Sequence, residues 1–409
     1  MLSRKASDHD QQATRRMESP YASHASAVAR ILKTFIPQDY GLHPLFLLQN
    51  FTQMKGCGCK VPRPILLNLL KAFGNIPTMS HDEVGIGLDS CVVPTRHPGL
   101  KLVQTTDFFY PLVDDPYIMG RITAANVLSD LYAMGVSECD NMLMLLGVCN
   151  DFNDVERDVI VKEFIKGFKD AAAQAGTEVR GGQTVKCPWL LLGGVATSVC
   201  TDREILKVDR AKPGDVLILT KPLGGQVSVN SYEWLQTNNG RVKELHLDPK
   251  KILRAAQQAM EQMCRLNRNA AILARKYRAH ACTDVTGFGI LGHADNLARV
   301  QRNNVQFVID SLPVIEYTEE IARAMNGNGF NLFGGTSAET SGGLLLALPE
   351  ERAEDFRAEL ESVDGFPTFL IGRVVEAEPG KPNNAEINHR YTVVPVPSQI
   401  HSSAIVINQ

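Results

Sequence analysis

The chain has 409 residues, of which 44% are hydrophobic and 21% charged, with a formal net charge of -3 at pH 7. That length allows two or three ordinary domains with a sizeable core, and the balance is that of a globular protein. The small negative charge excludes a general attraction to nucleic acid or anionic lipid, and the longest apolar runs, "NMLMLLGVC" and "WLLLGGVATSVC", are too short to cross a bilayer.

Asp8, Asp10, Gln11 and Gln12 stand where a secretory signal would carry its apolar core. A cytoplasmic protein is therefore expected, with its nine irregularly spaced cysteines reduced. Residues 1–45 read as a poorly ordered or loosely docked arm in which only "SAVARILKTFI" has helical spacing. "VPRPILLNLLKAF" predicts a helix led by prolines, and Ile76 to Glu83 a loop. "GLKLVQTTDFFYPLV" predicts a strand. "DDPYIMGRITAANVLSDLYAMG" predicts a helix capped by Asp115, with Pro116 in its first turn and Gly135 at its end. "VERDVIVKEFIKGFKDAAAQAG" predicts a second amphipathic helix, and "WLLLGGVATSV" a buried strand. "KPGD" is a turn signal before a new strand, "DVLILT", so one domain is expected over 46–210 and another over 211–409. The second has its own helix in "PKKILRAAQQAMEQMCRLN" and a strand-turn-helix unit in "HACTDVTGFGILGHADNLARV", and it ends in an extended segment from Val375. Mixed strands and helices in two successive blocks indicate an α/β or α+β class.

Three constellations bear chemistry. Asp89 in "GIGLDS", Asp107 in "TTDF", Asp130 in "LSDLY" and Asp284 in "CTDVTGFG" all lie in small-residue or apolar settings. Asn126 and Asp130 are four apart on one predicted helix and share a face. A carboxylate there needs a donor or a cation, and hard carboxylate oxygens suit Mg²⁺ held with nucleotide phosphates; taken singly, each could equally be a cap or turn residue. Gly181 and Gly182 in "VRGGQTV" free the backbone to approach phosphate, or simply make a turn or bulge; there is no GxxxxGK[ST]. "GCGCK" joins Cys57, Cys59 and Lys60. Its spacing fits zinc poorly, and a reactive thiolate beside Lys60, or an inert glycine-rich turn, remain as readings. His280 and His293 stand alone and read as structural.

Taken in order, "GCGCK", "GLDSCVVP", "VLSDLYAMG", "VRGGQTV", "TDVTGFGILGH" and "ETSGGLLLALP" closely resemble the selenophosphate synthetase (selenide, water dikinase) family, in its eukaryotic branch. The resemblance runs from about Met54 to about Val375. It implies an α+β, two-domain fold of the aminoimidazole ribonucleotide synthetase type. The N-terminal mixed sheets would join into a barrel in a homodimer, and the C-terminal domain would be an α/β sandwich. It implies the conversion of ATP, selenide and water to selenophosphate, phosphate and AMP, feeding selenocysteine synthesis. Cys57 and Lys60 fall on the family's catalytic positions. Lys60, Gly87, Leu88, Asp89, Asp107, Asp130, Gly181, Gly182, Gln183 and Thr184 fall on nucleotide-contacting positions, the last four as a loop. Asp89, Asp107, Asp130 and Asp284 fall on those that hold Mg²⁺. K⁺ is a further cofactor candidate and a selenium-delivery protein a further partner candidate. Many relatives carry two adjacent acids where this chain has Leu88-Asp89, so one carboxylate is absent. Cys57 itself is kept, which favours an active enzyme over a nucleotide-binding paralogue, and its loop separates this chain from related synthetases and thiamine-phosphate kinases.

Overall fold

The structure, a computed structural model, describes residues 20–74, 83–325 and 329–401. Helix α1 (Pro20–Lys33) opens it. Ala27, Val28 and Ile31 are buried on its inner face, and its Arg30 guanidinium pairs with Asp115 at 2.6 Å and with Glu163 at 2.8 Å. Within the arm, residues 20–33 form a docked helix, in keeping with the helical spacing of "SAVARILKTFI". An apolar stripe every third or fourth residue suffices to dock a short helix once a partner surface exists. Residues 1–19 of the arm, and nearly all of the loop expected over 76–83, lie outside the described residues. Helix α2 (Arg63–Leu70) follows the prolines as expected.

The first sheet holds β1 (Cys91–Pro94), β2 (Lys101–Phe109), β3 (Asn141–Cys149), β4 (Val179–Cys187) and β5 (Leu191–Cys200), in the order β1-β2-β5-β3-β4. Only β3 and β4 are parallel, because the connection between them is a helix crossover. Along β2 the side chains alternate: Val103, Thr105 and Phe109 point into the core, whereas Thr106 and Phe108 face outward. Helices α3 (Pro116–Ala133) and α4 (Asp154–Gln174) cover the inner face. Asp115 caps α3 as expected, accepting from the Tyr117 and Ile118 amides. Every residue of α3 except Asp130 is buried, the signature of a helix packed on all sides. Its packing on α4 is close: a Cβ on Gly120 would lie 2.1 Å from Phe164 O, and one on Gly167 1.9 Å from Tyr117 O.

The second sheet starts just past "KPGD". It holds β6 (Asp215–Leu219), β7 (Ala281–Asp284), β8 (Val305–Ile315), β9 (Leu344–Pro349), β10 (Phe369–Glu376) and β11 (Asn384–Val396), in the order β11-β8-β10-β6-β9-β7, with only β11 and β8 parallel. Helices α5 (Gly225–Thr237), α6 (Arg241–Glu244), α7 (Pro249–Cys264), α8 (Arg268–Lys276), α9 (Gly289–Arg299), α10 (Thr318–Ala324) and α11 (Glu350–Asp364) belong to this half. The architecture is two-domain α+β with mixed sheets. Helix α3 packs against α7, α8 and β7 as well as its own sheet, so the two halves meet along it. Among the described residues no helix is long and apolar enough to cross a membrane.

Candidate active site

Asp130 is the one residue of α3 that is not fully buried, and it points to the seam between the halves. It accepts a hydrogen bond from the Thr105 hydroxyl of β2. One turn earlier on the same face, Asn126 donates from Nδ2 to Asp107 Oδ2 at 2.7 Å. Across the seam, β7 ends in Thr283 and Asp284; the Thr283 hydroxyl donates to Asp89 Oδ1 at 3.0 Å. Asp89, Asp284 and His293 of α9 offer ligand atoms that all lie within 4.8 Å of one another. The four aspartates come from two sheets, one helix and one turn, and the fold gathers them.

The "GCGCK" segment closes on this cluster. Gly56 has φ of +49°, and a Cβ there would lie 2.3 Å from Leu112 Cδ2 and 2.7 Å from Thr340 Oγ1, so a side chain is excluded twice over. Residues Cys57–Cys59 make one 3₁₀ turn. The Cys57 amide donates to Thr340 Oγ1 at 3.1 Å, and its thiol donates to Asn126 Oδ1 at 3.6 Å. That same Asn126 oxygen accepts from the Ser341 amide at 2.7 Å. Gly287 of the "TGFG" turn packs on the loop, where a Cβ would lie 2.3 Å from Cys57 O. Lys60 Nζ sits 5.8 Å from the centroid of the Phe288 ring.

Charge follows from this crowding. Burial, then the neighbouring Asp284, pushes Asp89 and Asp130 well above the usual carboxylate range. Burial lifts Asp284 to about 6, with Asp107 adding to it and Ser129, Lys60 and Lys221 opposing. Burial works against the Lys60 ammonium, but Asp107, with Asp130 and Asp284, holds it protonated, above the ordinary lysine value. Burial, then Asp107, raises the Cys57 thiol far more than Lys60 lowers it. Of the two readings left open, this environment favours the thiol over the thiolate, with the sulfur aimed at the Asn126 amide oxygen. Desolvation of a fully buried sulfur outweighs one nearby ammonium that the carboxylates already engage. Burial, Lys60 and Arg63 lower His293 to about 3, so it is neutral; its Nε2 lies 3.3 Å from the Phe288 amide, which donates to it.

Asp284 Oδ2 is buried with no hydrogen-bond partner. Four crowded carboxylates with one ammonium among them leave a surplus of hard oxygen donors, which fits a divalent cation such as Mg²⁺.

Gly181 to Thr184 stand elsewhere. They form part of β4, an exposed edge strand, and not the loop that was expected. Registers run Asp107 to Gly194, Gly194 to Met144, and Met144 to Gly182. They therefore share one row of the sheet, with Gly182 three strand spacings, about 14 Å, from Asp107. Gly182 has φ of +142°, and a Cβ would lie 1.9 Å from Met144 O. Gly87, with φ of +113°, turns the chain so that Leu88 and Asp89 reach the seam. Asn126, Thr105, Thr283 and Thr340 complete the site. Only Asn126 carried a signal in sequence, its four-residue spacing from Asp130; the threonines carried none. His293, expected to be structural, has its Nε2 against the Thr286 hydroxyl at 3.2 Å and the Phe288 amide at 3.3 Å, in keeping with that reading, and its ring also lies beside Asp89 and Asp284.

The family model described as "AIR synthase related protein, N-terminal domain" matches residues 87–200, and that described as "AIR synthase related protein, C-terminal domain" matches 212–382. Solved structures agree on the fold. Thiamine monophosphate kinase from Aquifex aeolicus superposes with a TM-score of 0.56 at 19% identity, over 81% of this chain and 97% of that one. The hydrogenase maturation protein HypE from E. coli gives 0.54 at 15%, over 84% and 99%. Closer in sequence is the probable selenide, water dikinase of Caenorhabditis elegans, 64% identical over 85% of this chain and 93% of its own length. Selenide, water dikinase 2 of Homo sapiens is 48% identical over 84% and 83%, and the selenide, water dikinase of Trypanosoma brucei brucei 43% identical over 91% and 95%. With both AIR synthase related domains present and such relatives matched along most of their length, the chain belongs to the selenide, water dikinase family.

Proposed function

We propose that the seam converts ATP, selenide and water to selenophosphate, phosphate and AMP, with Cys57, Lys60 and the four aspartates as its working groups. The observation that carries this is the meeting of "GCGCK" with the carboxylates: Asn126 touches both the Cys57 thiol and Asp107. Asp89, Asp107, Asp130 and Asp284 would hold Mg²⁺, which when bound neutralises and orients the phosphate oxygens. Lys60, kept protonated by those acids, sets a fixed positive charge where the transferred γ-phosphoryl gains negative charge. Asn126 orients both Cys57 and Asp107 through one amide. Cys57 presents a soft, neutral sulfur. Hydroselenide is an anion near neutral pH, so a thiol that can donate to it holds it better than a thiolate that would repel it. The "GCGCK" turn, packed against Gly287 and Thr340, excludes bulk water from the first transfer.

A homodimer fits this reading. Val93, Phe108, Val185 and Val199 are exposed apolar side chains of the first sheet. A second copy covering that face would bring the backbone of Gly181–Thr184, on the open β4 edge, into a buried setting suited to nucleotide contact. Nine free cysteines favour a cytoplasmic location.

The test is phosphorus NMR of the purified protein with ATP, Mg²⁺ and selenide under anaerobic conditions. Selenophosphate, phosphate and AMP in equal amounts are expected. Products that do not change when selenide is added would reject the reading.

A further inference from the structure

Resting on the function just proposed, we propose that Lys221 is a positioning residue of this reaction: it fixes the turn at Ser341 that orients Asn126 and, through Asn126, the Cys57 thiol. The segment 339–343, "ETSGG", meets the "GCGCK" turn directly. Thr340 Oγ1 accepts from the Cys57 amide at 3.1 Å. The Ser341 amide donates to Asn126 Oδ1 at 2.7 Å, and that oxygen also accepts from the Cys57 thiol. A donor fixed on Oδ1 decides which way the Asn126 amide is turned, and so where the thiol finds its acceptor.

Ser341 is strained. Its φ is +48°, a left-handed conformation that is unfavourable for a residue with a Cβ. Asn or Asp at such a place can hold the backbone with its own side chain, but the Ser341 hydroxyl is buried without a hydrogen-bond partner. The conformation is held through the backbone instead. The amide is on Asn126, and the carbonyl accepts from Lys221 Nζ at 2.9 Å. The two groups lie on either side of the strained torsions, so pinning both fixes the residue. The following residues are tied as well: Asn267 Nδ2 donates to Gly342 O at 2.8 Å and the Val285 amide to Gly343 O at 3.0 Å.

Lys221 can do this because of where its stem begins and what else its amine holds. It lies just past β6 and is buried. A buried amine needs acceptors, and its other one is Arg265 O, at 2.7 Å. Arg265 follows the last residue of α7, where carbonyls lack helical partners and the helix dipole favours a cation. Helix α7 is itself packed on α1, α3 and α5, so one end of the bridge is rigid. The other end is the strained turn. The backbones touch too: a Cβ on Gly343 would lie 2.4 Å from Lys221 N. Both bonds of Lys221 go to backbone carbonyls, so its influence on the thiol runs through Ser341 and Asn126.

The experiment uses the full chain under anaerobic conditions, as parent, Lys221→Met, Ser341→Gly and the double variant. Methionine keeps the stem and loses the donor. In the first arm, kcat for selenophosphate is expected to fall about thirtyfold in Lys221→Met, the size of effect that released backbone strain can have. The Mg·ATP KM should stay within about threefold, and the calorimetric stoichiometry of Mg·ATP should not change, which shows that the molecules counted are folded. Glycine adopts positive φ without penalty, so on the Ser341→Gly background the same lysine change is expected to lower kcat by no more than about threefold. The second arm needs no turnover: alkylation of Cys57 and Cys282, both buried, by iodoacetamide is followed by peptide mass spectrometry. Cys57 is expected to react about tenfold faster in Lys221→Met while Cys282, on β7, does not change, and the double variant should match Ser341→Gly. Equal losses of kcat on both backgrounds, a kcat that falls only with the Mg·ATP stoichiometry, or Cys57 and Cys282 exposed together would overturn the proposal, as would an unchanged Cys57. If the parent makes no selenophosphate, the reaction itself is misassigned, and the alkylation arm still decides whether Lys221 holds the Cys57 turn.

Discussion

The Cys57 thiol donates to Asn126 Oδ1, so its replacement by serine separates hydrogen bonding from sulfur chemistry. Cys57→Ser retains a donor at that position but lacks the soft atom. It is expected to abolish selenophosphate formation while Mg·ATP affinity stays within about threefold. Cys59, whose thiol donates to Lys55 O at 3.0 Å on the far side of the turn, is expected to tolerate serine with little loss at saturating selenide. Lys60→Ala should lower kcat by roughly two orders of magnitude or more, because in the proposed reaction its charge meets the γ-phosphoryl as it is transferred. The three variants assayed together decide the roles; an inactive Cys59→Ser beside an active Cys57→Ser would reverse them. Asp130 behaves differently. Its carboxyl is pushed up by burial and by Asp284, Asp89 and Asp107 around it. Asp130→Ala should therefore stabilise the metal-free fold by about 1 kcal/mol and yet lose Mg·ATP binding. Thermal unfolding and calorimetry read the two effects separately, and unchanged Mg·ATP affinity would remove Asp130 from the ligand set.

Helix α5 begins at Gly225 with its first amides on a buried acid: Glu339 accepts from the Gly224 amide at 2.7 Å and from the Gly225 amide at 2.9 Å. The Glu339 amide in turn donates to Thr286 O, so the acid ties α5 to the "TGFG" turn that backs Cys57. Burial raises its carboxyl from the usual 4.5 to about 8, against the two amides that lower it. A group whose folded value is raised binds more protons in the folded chain between those two values. Its contribution to stability is full below about pH 4.5 and declines as pH rises to about 8. Glu339→Gln removes that titration. The stability of the parent relative to the variant is expected to fall between pH 5 and pH 8, measured by urea unfolding; a constant difference would show that the acid is already ionised at pH 5. At β4 the element itself was misread. Two glycines followed by Gln and Thr look like a loop, yet pairing with β3 supplies the strand's hydrogen bonds whatever its local propensity.

The two halves meet along α3, so the site exists only when both sheets are folded and docked. The outer face of the first sheet remains uncovered in a single chain, with Phe108 55% exposed. Phe108→Glu leaves the inner core untouched. On the proposed homodimer, it is expected to shift sedimentation from dimer to monomer and to weaken nucleotide binding, while the thermal transition of the isolated chain stays within a few degrees; a parent that already sediments as a monomer would reject that homodimer. A variant that remains dimeric would move the interface to another surface.

The strands and helices were legible in the sequence because local signals mark them: "TTD" at a strand's polar end, Asp115 and Pro116 at a helix start, "KPGD" at the turn between the sheets. The aspartates and "GCGCK" were legible as chemistry because carboxylates and thiols in small or apolar settings need a reason to be there. What the sequence left open is everything that depends on distance through space. It did not reveal that Arg30 docks the N-terminal helix by ion pairs to Asp115 and Glu163, 85 and 133 residues away. Nor did it show that Asn126 bridges Cys57 and Asp107, that His293 faces Asp89 and Asp284, or that "VRGGQTV" is an edge strand. The charge state of Cys57 shows the division most clearly. Its neighbour Lys60 is visible in the sequence and favours a thiolate, but burial and Asp107 come from the tertiary fold, and desolvation is the larger effect.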